Sequence, residues 1–126
     1  MKQTFTHQSL NIEISPADDG SALQMIWGGK SNARSPLQIL EPVFQEAQAY
    51  AAEAKLPLEM HFQDMEHFNS STITALIALI QQLRDSKVQL RLHYNAALKW
   101  QKMSFDALKV FETPDGMLQI FGKGEA

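Results

Sequence analysis

The chain has no cysteine among its 126 residues and no long apolar run. The absence of cysteine excludes disulfide bonds, thiolate metal ligands and cysteine nucleophiles, and it fits a reducing compartment. The longest apolar run, Ala75 to Ile80, is far shorter than the roughly 20 residues of a membrane-spanning helix. The N-terminal residues lack the apolar core of a signal peptide. We therefore expect a cytoplasmic protein with no membrane partner.

An excess of positive charge is also missing. The 11 Lys and Arg residues stand against 14 Asp and Glu residues, which gives a formal net charge of -3. The basic residues are scattered over both halves of the chain and form no stripe of the kind that binds nucleic acid. We therefore expect no nucleic-acid partner. At 44% hydrophobic residues the chain can bury one core but is too short for two, which predicts a single domain over residues 1–126.

Alternating apolar and polar residues predict strands, and apolar residues at helical spacing predict helices between them. The strand at 58–63 and the strand at 87–94 each keep one polar face, so all helices should cover the other face of the sheet. This pattern predicts a two-layer α/β domain with a mixed sheet of four to five strands in chain order and the first strand antiparallel at one edge. The predicted strands are residues 9–15, 22–27, 58–63, 87–94 and 117–121.

The predicted helices have distinct start signals. The first begins at Pro36 and ends before Pro57, and the segment before it, 28–35, is predicted to be a loop. The second covers about four turns to Leu83. Asn95 is predicted to cap the third. On one side of that helix the spacing places Ala96, Trp100, Met103 or Ser104, and Ala107.

The most informative segment is Phe68-Asn69-Ser70-Ser71-Thr72-Ile73, where a strand pattern ends and an apolar helix pattern begins. A hydroxyl in the first turn of a helix lies beside unpaired backbone N–H groups, which favour an added phosphate. The predicted topology brings Lys30 and Arg34 to the same sheet edge, either as ordinary loop charges or as groups that receive a phosphate. From spacing alone, an unmodified Ser70 is the commoner explanation. Ser71 and Thr72 are predicted as capping or helix-surface residues, or as secondary acceptors.

The junction and the order of elements resemble the STAS domain of bacterial anti-sigma factor antagonists, which has a SpoIIAA-like fold, over roughly Ser9 to Phe111. In that family an Asp-Ser-Ser-Gly-Leu type sequence opens the second long helix, and the first serine is phosphorylated. Asn69 stands at the Asp, Ser70 at the phospho-acceptor, Thr72 at the Gly and Ile73 at the Leu. The sequence looks closer to a subgroup of partner-switching phosphoproteins in biofilm and cyclic-di-GMP signalling, with an Asn-Thr-Ser-Ser-Ile type junction.

The resemblance implies a non-catalytic signalling regulator that needs no cofactor and is switched by phosphorylation of Ser70. It implies as partners a Ser/Thr protein kinase of the anti-sigma factor type, a PP2C-type phosphatase and a cyclic-di-GMP signalling enzyme. The expected partner-binding residues surround the junction: Lys30, Arg34, His67, Phe68, Asn69 and Ile73.

Two other classes of function make different demands on the structure. A small-molecule or nucleotide sensor would use the 28–35 loop as an anion cradle and needs a ligand-sized pocket, whereas a regulator needs a nearly flat, partly apolar patch around Ser70. An enzyme is not predicted, because no nucleophile and base stand at an interpretable spacing.

A metal site is not predicted either. His61, Asp64, Glu66 and His67 form the one suggestive group, but they match neither His-Glu-x-x-His nor His-x-x-Glu-His. His93 is expected to pair with His61 on the solvated face of the sheet and to titrate normally there.

Overall fold

The computed structural model describes residues 3–123. Its strands are β1 (Gln3–His7), β2 (Leu10–Pro16), β3 (Leu23–Ser31), β4 (Leu58–Phe68), β5 (Leu90–Asn95) and β6 (Leu118–Lys123). Its helices are α1 (Pro36–Ala54), α2 (Ser70–Asp85) and α3 (Lys99–Leu108), and a short 3-10 turn, Lys109–Phe111, follows α3. Within residues 3–123, no helix has both the length and the hydrophobicity to cross a bilayer.

The six strands form one mixed sheet in the order β1-β2-β3-β4-β5-β6. The β1–β2 and β2–β3 pairs are antiparallel, and β3 through β6 are parallel. The predicted order is confirmed, but the sheet has one strand more than expected, because β1 was not predicted. This edge strand buries none of its side chains fully, and Phe5 and His7 are only half-buried. A strand with so little burial does not need the apolar alternation that marks the other strands, and without that pattern it was not predicted.

One face of the sheet carries the hydrophobic core. The alternate residues Leu58, Met60 and Phe62 on β4 are fully buried and pack with helix residues in one cluster. Trp27 lies at its centre, with ring centroids 5.8 Å from Phe44 on α1 and 5.0 Å from Phe62. The intervening residues of the strands remain partly exposed. The prediction of two layers with the helices on one face is therefore confirmed.

The third helix begins later and is rotated relative to its prediction. It starts at Lys99, and the side chain of Asn95 accepts a hydrogen bond from the N–H of Ala97, at 2.9 Å, in a turn before the helix. Its buried side consists of Gln101, Phe105 and Leu108. Met103 is 67% exposed. The predicted face was wrong because a polar residue, Gln101, occupies a core position.

The first half of the segment predicted as a loop, residues 28–31, belongs to β3, and residues 32–35 lie outside any strand or helix. Gly28 and Gly29 belong to β3 and lie against β2, and Gly29 has a φ of +84°. A Cβ atom at Gly29 would lie 1.8 Å from the carbonyl oxygen of Ser9, which accepts a hydrogen bond from the N–H of Lys30 at 3.1 Å. The glycine therefore allows two backbones to approach closely at an irregularity in the sheet. Gly29 thus lies in a strand and not in the loop predicted there.

Candidate functional site

Ser70 is the first residue of α2 and is exposed. Its hydroxyl has no hydrogen-bond partner within residues 3–123, and its carbonyl accepts a bond from the hydroxyl of Thr74 at 3.2 Å. The N–H groups that begin a helix lack the usual acceptor one turn earlier; here the N–H of Thr72 is bonded to Asn69, and no acidic side chain lies in the first turn. The positive end of the helix dipole is therefore not neutralised at Ser70. A phosphate there would meet backbone N–H groups instead of like charge.

Asn69 fixes the position of this first turn. Its Oδ1 atom accepts hydrogen bonds from the N–H of Thr72 at 2.8 Å and from the Thr72 hydroxyl at 2.6 Å. Its Nδ2 atom donates to the carbonyl of Ala33 at 2.9 Å, and its own N–H donates to the carbonyl of Ser31 at 3.0 Å. An aspartate could cap the helix but could not donate to Ala33. Asparagine at this position thus links the helix start to the loop before α1.

Thr72 lies under the helix start, not on its surface. It is fully buried, and its hydroxyl is 2.7 Å from the hydroxyl of Ser31, which is also buried. A kinase could reach this oxygen only if the first turn opened, so Thr72 is an anchor in this structure. Ser71, the other secondary candidate, is exposed.

Ser70 lines an open groove between the starts of α1 and α2. Of the two predicted cations, the exposed Arg34 lies in this groove. Lys30 does not, because it is paired in register with His67 and lines a separate small pocket near His7. The Ser70 groove is lined by Arg34, Ser35, Pro36, Leu37, Gln38, Ser70, Ser71, Thr74, Ala75 and Ala78.

The remaining predicted partner-binding residues differ in exposure. Phe68 is only 6% exposed, and its ring packs 5.5 Å from Trp100 and 6.4 Å from Trp27, so it supports the junction from within the core. His67 is exposed. Ile73 is half-buried and packs on the edge of the core, as does Ile77 one turn later. The surface around Ser70 is therefore open and partly apolar, in keeping with a surface that binds a protein.

Gln101 is a buried residue of this region that the sequence did not single out. Its Nε2 atom donates to the carbonyls of Phe62 at 2.9 Å and Met65 at 3.0 Å, and its Oε1 atom accepts from the N–H of Asn95 at 2.7 Å. It therefore joins α3 to the end of β4, the strand that leads into Ser70. Gln101 stands four residues before Phe105 and seven before Leu108, and this helical spacing is the feature of the sequence that could have placed it on the buried side of α3.

The suggestive group at His61, Asp64, Glu66 and His67 is not brought together. His61 lies on the open face of the sheet and stacks on His93, with ring centroids 4.6 Å apart. His93 does not titrate normally, since burial, followed by the neighbouring His61, lowers its pKa to about 4. Its ring is thus neutral at pH 7.

Removal of the Asn69 side chain should destabilise the fold. We expect Asn69→Ala to lower the free energy of unfolding by about 1–2 kcal/mol, the usual cost of a lost helix cap. Asn69→Asp should lose about 1 kcal/mol, because the carboxylate keeps the cap but cannot donate to Ala33. Urea denaturation measures both, with the exposed Ser71→Ala as the matched control. An Asn69→Asp variant as stable as the wild type would show that the bond to Ala33 contributes nothing.

Comparisons with known proteins agree with this architecture. A family model described as "SiaC family regulatory phosphoprotein" matches residues 16–113. Comparison with curated proteins found no match. Among solved structures, the diguanylate cyclase SiaD in complex with its activator SiaC from Pseudomonas aeruginosa matches with a TM-score of 0.63 and 16% identity, over 95% of this chain and 98% of that chain.

Two further solved structures share the fold. An anti-sigma factor antagonist from Mycobacterium paratuberculosis matches with a TM-score of 0.54 and 13% identity, over 89% of this chain and 93% of that chain. An uncharacterized protein with a SpoIIAA-like fold from Shewanella loihica matches with a TM-score of 0.52 and 16% identity, over 90% and 85% of the two chains. The predicted SpoIIAA-like fold is confirmed.

Proposed function

Because the chain belongs to the SiaC family of regulatory phosphoproteins, we propose that it is a non-catalytic signalling regulator, switched by reversible phosphorylation of Ser70 in the cytoplasm. The observation that carries this proposal is the placement of Ser70. It is the first residue of a capped helix, it is exposed, and its hydroxyl is unbonded within residues 3–123. The structure around it is fixed by Asn69 and Thr72, so a modifying enzyme meets one defined conformation.

The proposed partners are of three kinds. A Ser/Thr protein kinase of the anti-sigma factor type adds the phosphate, and a PP2C-type phosphatase removes it. A diguanylate cyclase is the proposed target, and support for it comes from the similar structure in which SiaC is the activator of SiaD. The unphosphorylated form binds the target through the Ser70 groove and the adjoining Ile73 and Ile77.

Arg34 has a defined part in this proposal. A phosphate on Ser70 would carry about -1.5 to -2 charges at neutral pH. In the free protein it would lie beside the N–H groups of the first turn and in the same groove as the exposed Arg34. Both features stabilise the charge, so the phosphorylated protein keeps its fold and only its binding surface changes.

The phospho-acceptor can be tested directly. The protein is incubated with ATP and candidate GHKL-type kinases from the same genome, and the phosphate is located by mass spectrometry. We expect Ser70 to carry the label and Ser70→Ala to abolish it, because Thr72 is buried and helix-anchored. Ser71→Ala, the adjacent exposed serine, should be labelled like the wild type. Equal labelling of Ser70→Ala, or loss of label only in Ser71→Ala, would contradict the assignment.

A further inference from the structure

The open face of the sheet holds a group of potential metal ligands that is separate from Ser70. Glu59 and His61 are two residues apart on β4 and share that face, and His93 on β5 is opposite His61 in the strand register. The side chains of His61 and Glu59 are only 20% and 17% exposed. The group is thus partly withdrawn from water, although the surrounding face is polar.

The ligand atoms of these three residues are close together. The Nε2 atom of His61 is 3.4 Å from the Oε1 atom of Glu59, and the candidate ligand atoms of Glu59, His61 and His93 all lie within 4.8 Å of one another. Two ligand atoms on one tetrahedral Zn²⁺, at about 2.0–2.2 Å each, are separated by somewhat more than 3 Å. The two rings are stacked with an interplanar angle of 5°, so their in-plane lone pairs do not converge as they stand, and at least one ring must rotate for both to bind one ion.

His93 provides the second observation. Both of its ring nitrogens are buried, and neither has a hydrogen-bond partner within residues 3–123. Its ring is held between His61, with centroids 4.6 Å apart, and Phe121, with centroids 5.1 Å apart. Buried polar atoms normally have a partner, because an unpaired one costs free energy. The unprotonated ring nitrogen of a neutral imidazole is also the atom that coordinates a metal.

Glu59 would supply the charge of the site. Its carboxylate, ionised at neutral pH as glutamate side chains ordinarily are, lies between two neighbours. The Nη1 atom of Arg91 is 3.3 Å from the Oε2 atom of Glu59, which leaves the Oε1 atom facing His61.

We propose that Glu59, His61 and His93 form a binding site for one divalent transition-metal ion of the Zn²⁺ class. Two imidazoles and one carboxylate are a donor set that such ions accept, with the fourth position open to water. The two imidazole nitrogens favour these ions over Ca²⁺ and Mg²⁺, which prefer oxygen ligands alone. The site is independent of Ser70 and does not require the proposed function.

The test is a titration of the full chain, freed of any histidine tag, with ZnCl₂ in a non-chelating buffer by isothermal calorimetry. We expect one Zn²⁺ per chain. His61→Gln and His93→Gln each remove a ligand and should weaken binding by more than the roughly 10- to 100-fold that is typical when only an outer-shell partner of a ligand is removed. Arg91→Met should tighten it, because a cation that competes for Glu59 is removed. The exposed His67→Gln, outside the site, is the matched control and should bind like the wild type.

Circular dichroism and the thermal midpoint without metal confirm that each variant is folded before it is titrated. The ¹⁵N resonances of the His61 and His93 rings should also shift on addition of Zn²⁺, whereas those of His67 should not. Absence of binding by the wild type at Zn²⁺ concentrations up to about 100 micromolar would overturn the proposal. Equal weakening by His67→Gln, or unchanged binding by a double His61→Gln and His93→Gln variant, would overturn it as well.

Discussion

A phosphoryl group on Ser70 is expected to weaken binding of the target enzyme by about a hundredfold or more. The proposed binding surface covers the Ser70 groove, so complex formation would remove the phosphate from water. Burial of about -1.5 to -2 charges without a cation from the partner costs at least several kcal/mol, and each 1.4 kcal/mol is a factor of ten in affinity. The helix N–H groups and Arg34 stabilise the phosphate in the free protein as well as in the complex. They therefore do not offset the loss of binding affinity.

The measurement compares dissociation constants by calorimetry for the wild type, the enzymatically phosphorylated protein and two variants. Ser70→Ala should bind like the unmodified protein. Ser70→Asp should bind more weakly, though less so than the phosphoprotein, because it carries one charge. Gln82→Glu places one negative charge on the exposed far end of the same helix and controls for net charge. Equal affinity of the phosphorylated and unmodified proteins, or equal weakening by Gln82→Glu, would contradict the proposed switch.

Much of the fold could be predicted from local patterns, because each pattern reports a physical requirement. The strict alternation of Leu58, Met60 and Phe62 predicts a strand that is buried on one face, and the structure shows that strand. The limits of elements were less predictable. The β4 strand continues to Phe68, five residues past the predicted end, because Met65 and Phe68 are buried as well although irregular pairing with β3 interrupts the alternation.

The candidate site shows the same division. The position of Ser70 at a helix start depended on neighbouring residues and could be predicted. The burial of Phe68 and Thr72 depended on where side chains point at the junction, and Thr72 in particular on its partners Ser31 and Asn69. The pairing of Thr72 with Ser31, 41 residues earlier, cannot be seen in sequence spacing.

The group on the open face illustrates this limit most clearly. By sequence spacing, His61 is grouped with neighbours on the same segment: Asp64, Glu66 and His67. The register of parallel strands instead places His93 beside it, 32 residues later, and the same register pairs Glu59 with Arg91. Register between strands is set by the whole core, so a short motif search could not find this cluster.

Replacement of the buried Gln101 by leucine is expected to lower the free energy of unfolding by about 3 kcal/mol or more. Leucine fills a similar volume but removes the Gln101 hydrogen bonds to three backbone groups: the carbonyls of Phe62 and Met65 and the N–H of Asn95. Each buried group left unsatisfied costs about 1–3 kcal/mol, and the gain from burying leucine offsets part of the total. Urea denaturation at constant m-value measures the difference.

The exposed Gln81→Leu on α2 is the matched control for this substitution, and its effect should stay within about 0.5 kcal/mol. Because Gln101 holds the end of β4, native-state hydrogen exchange in Gln101→Leu should also become faster at residues 66–72 than at β2. The two measurements separate a local support from a general packing defect. A loss below 1 kcal/mol would show that the three backbone groups find other partners, and uniform acceleration of exchange would show that Gln101 does not specifically support the strand leading to Ser70.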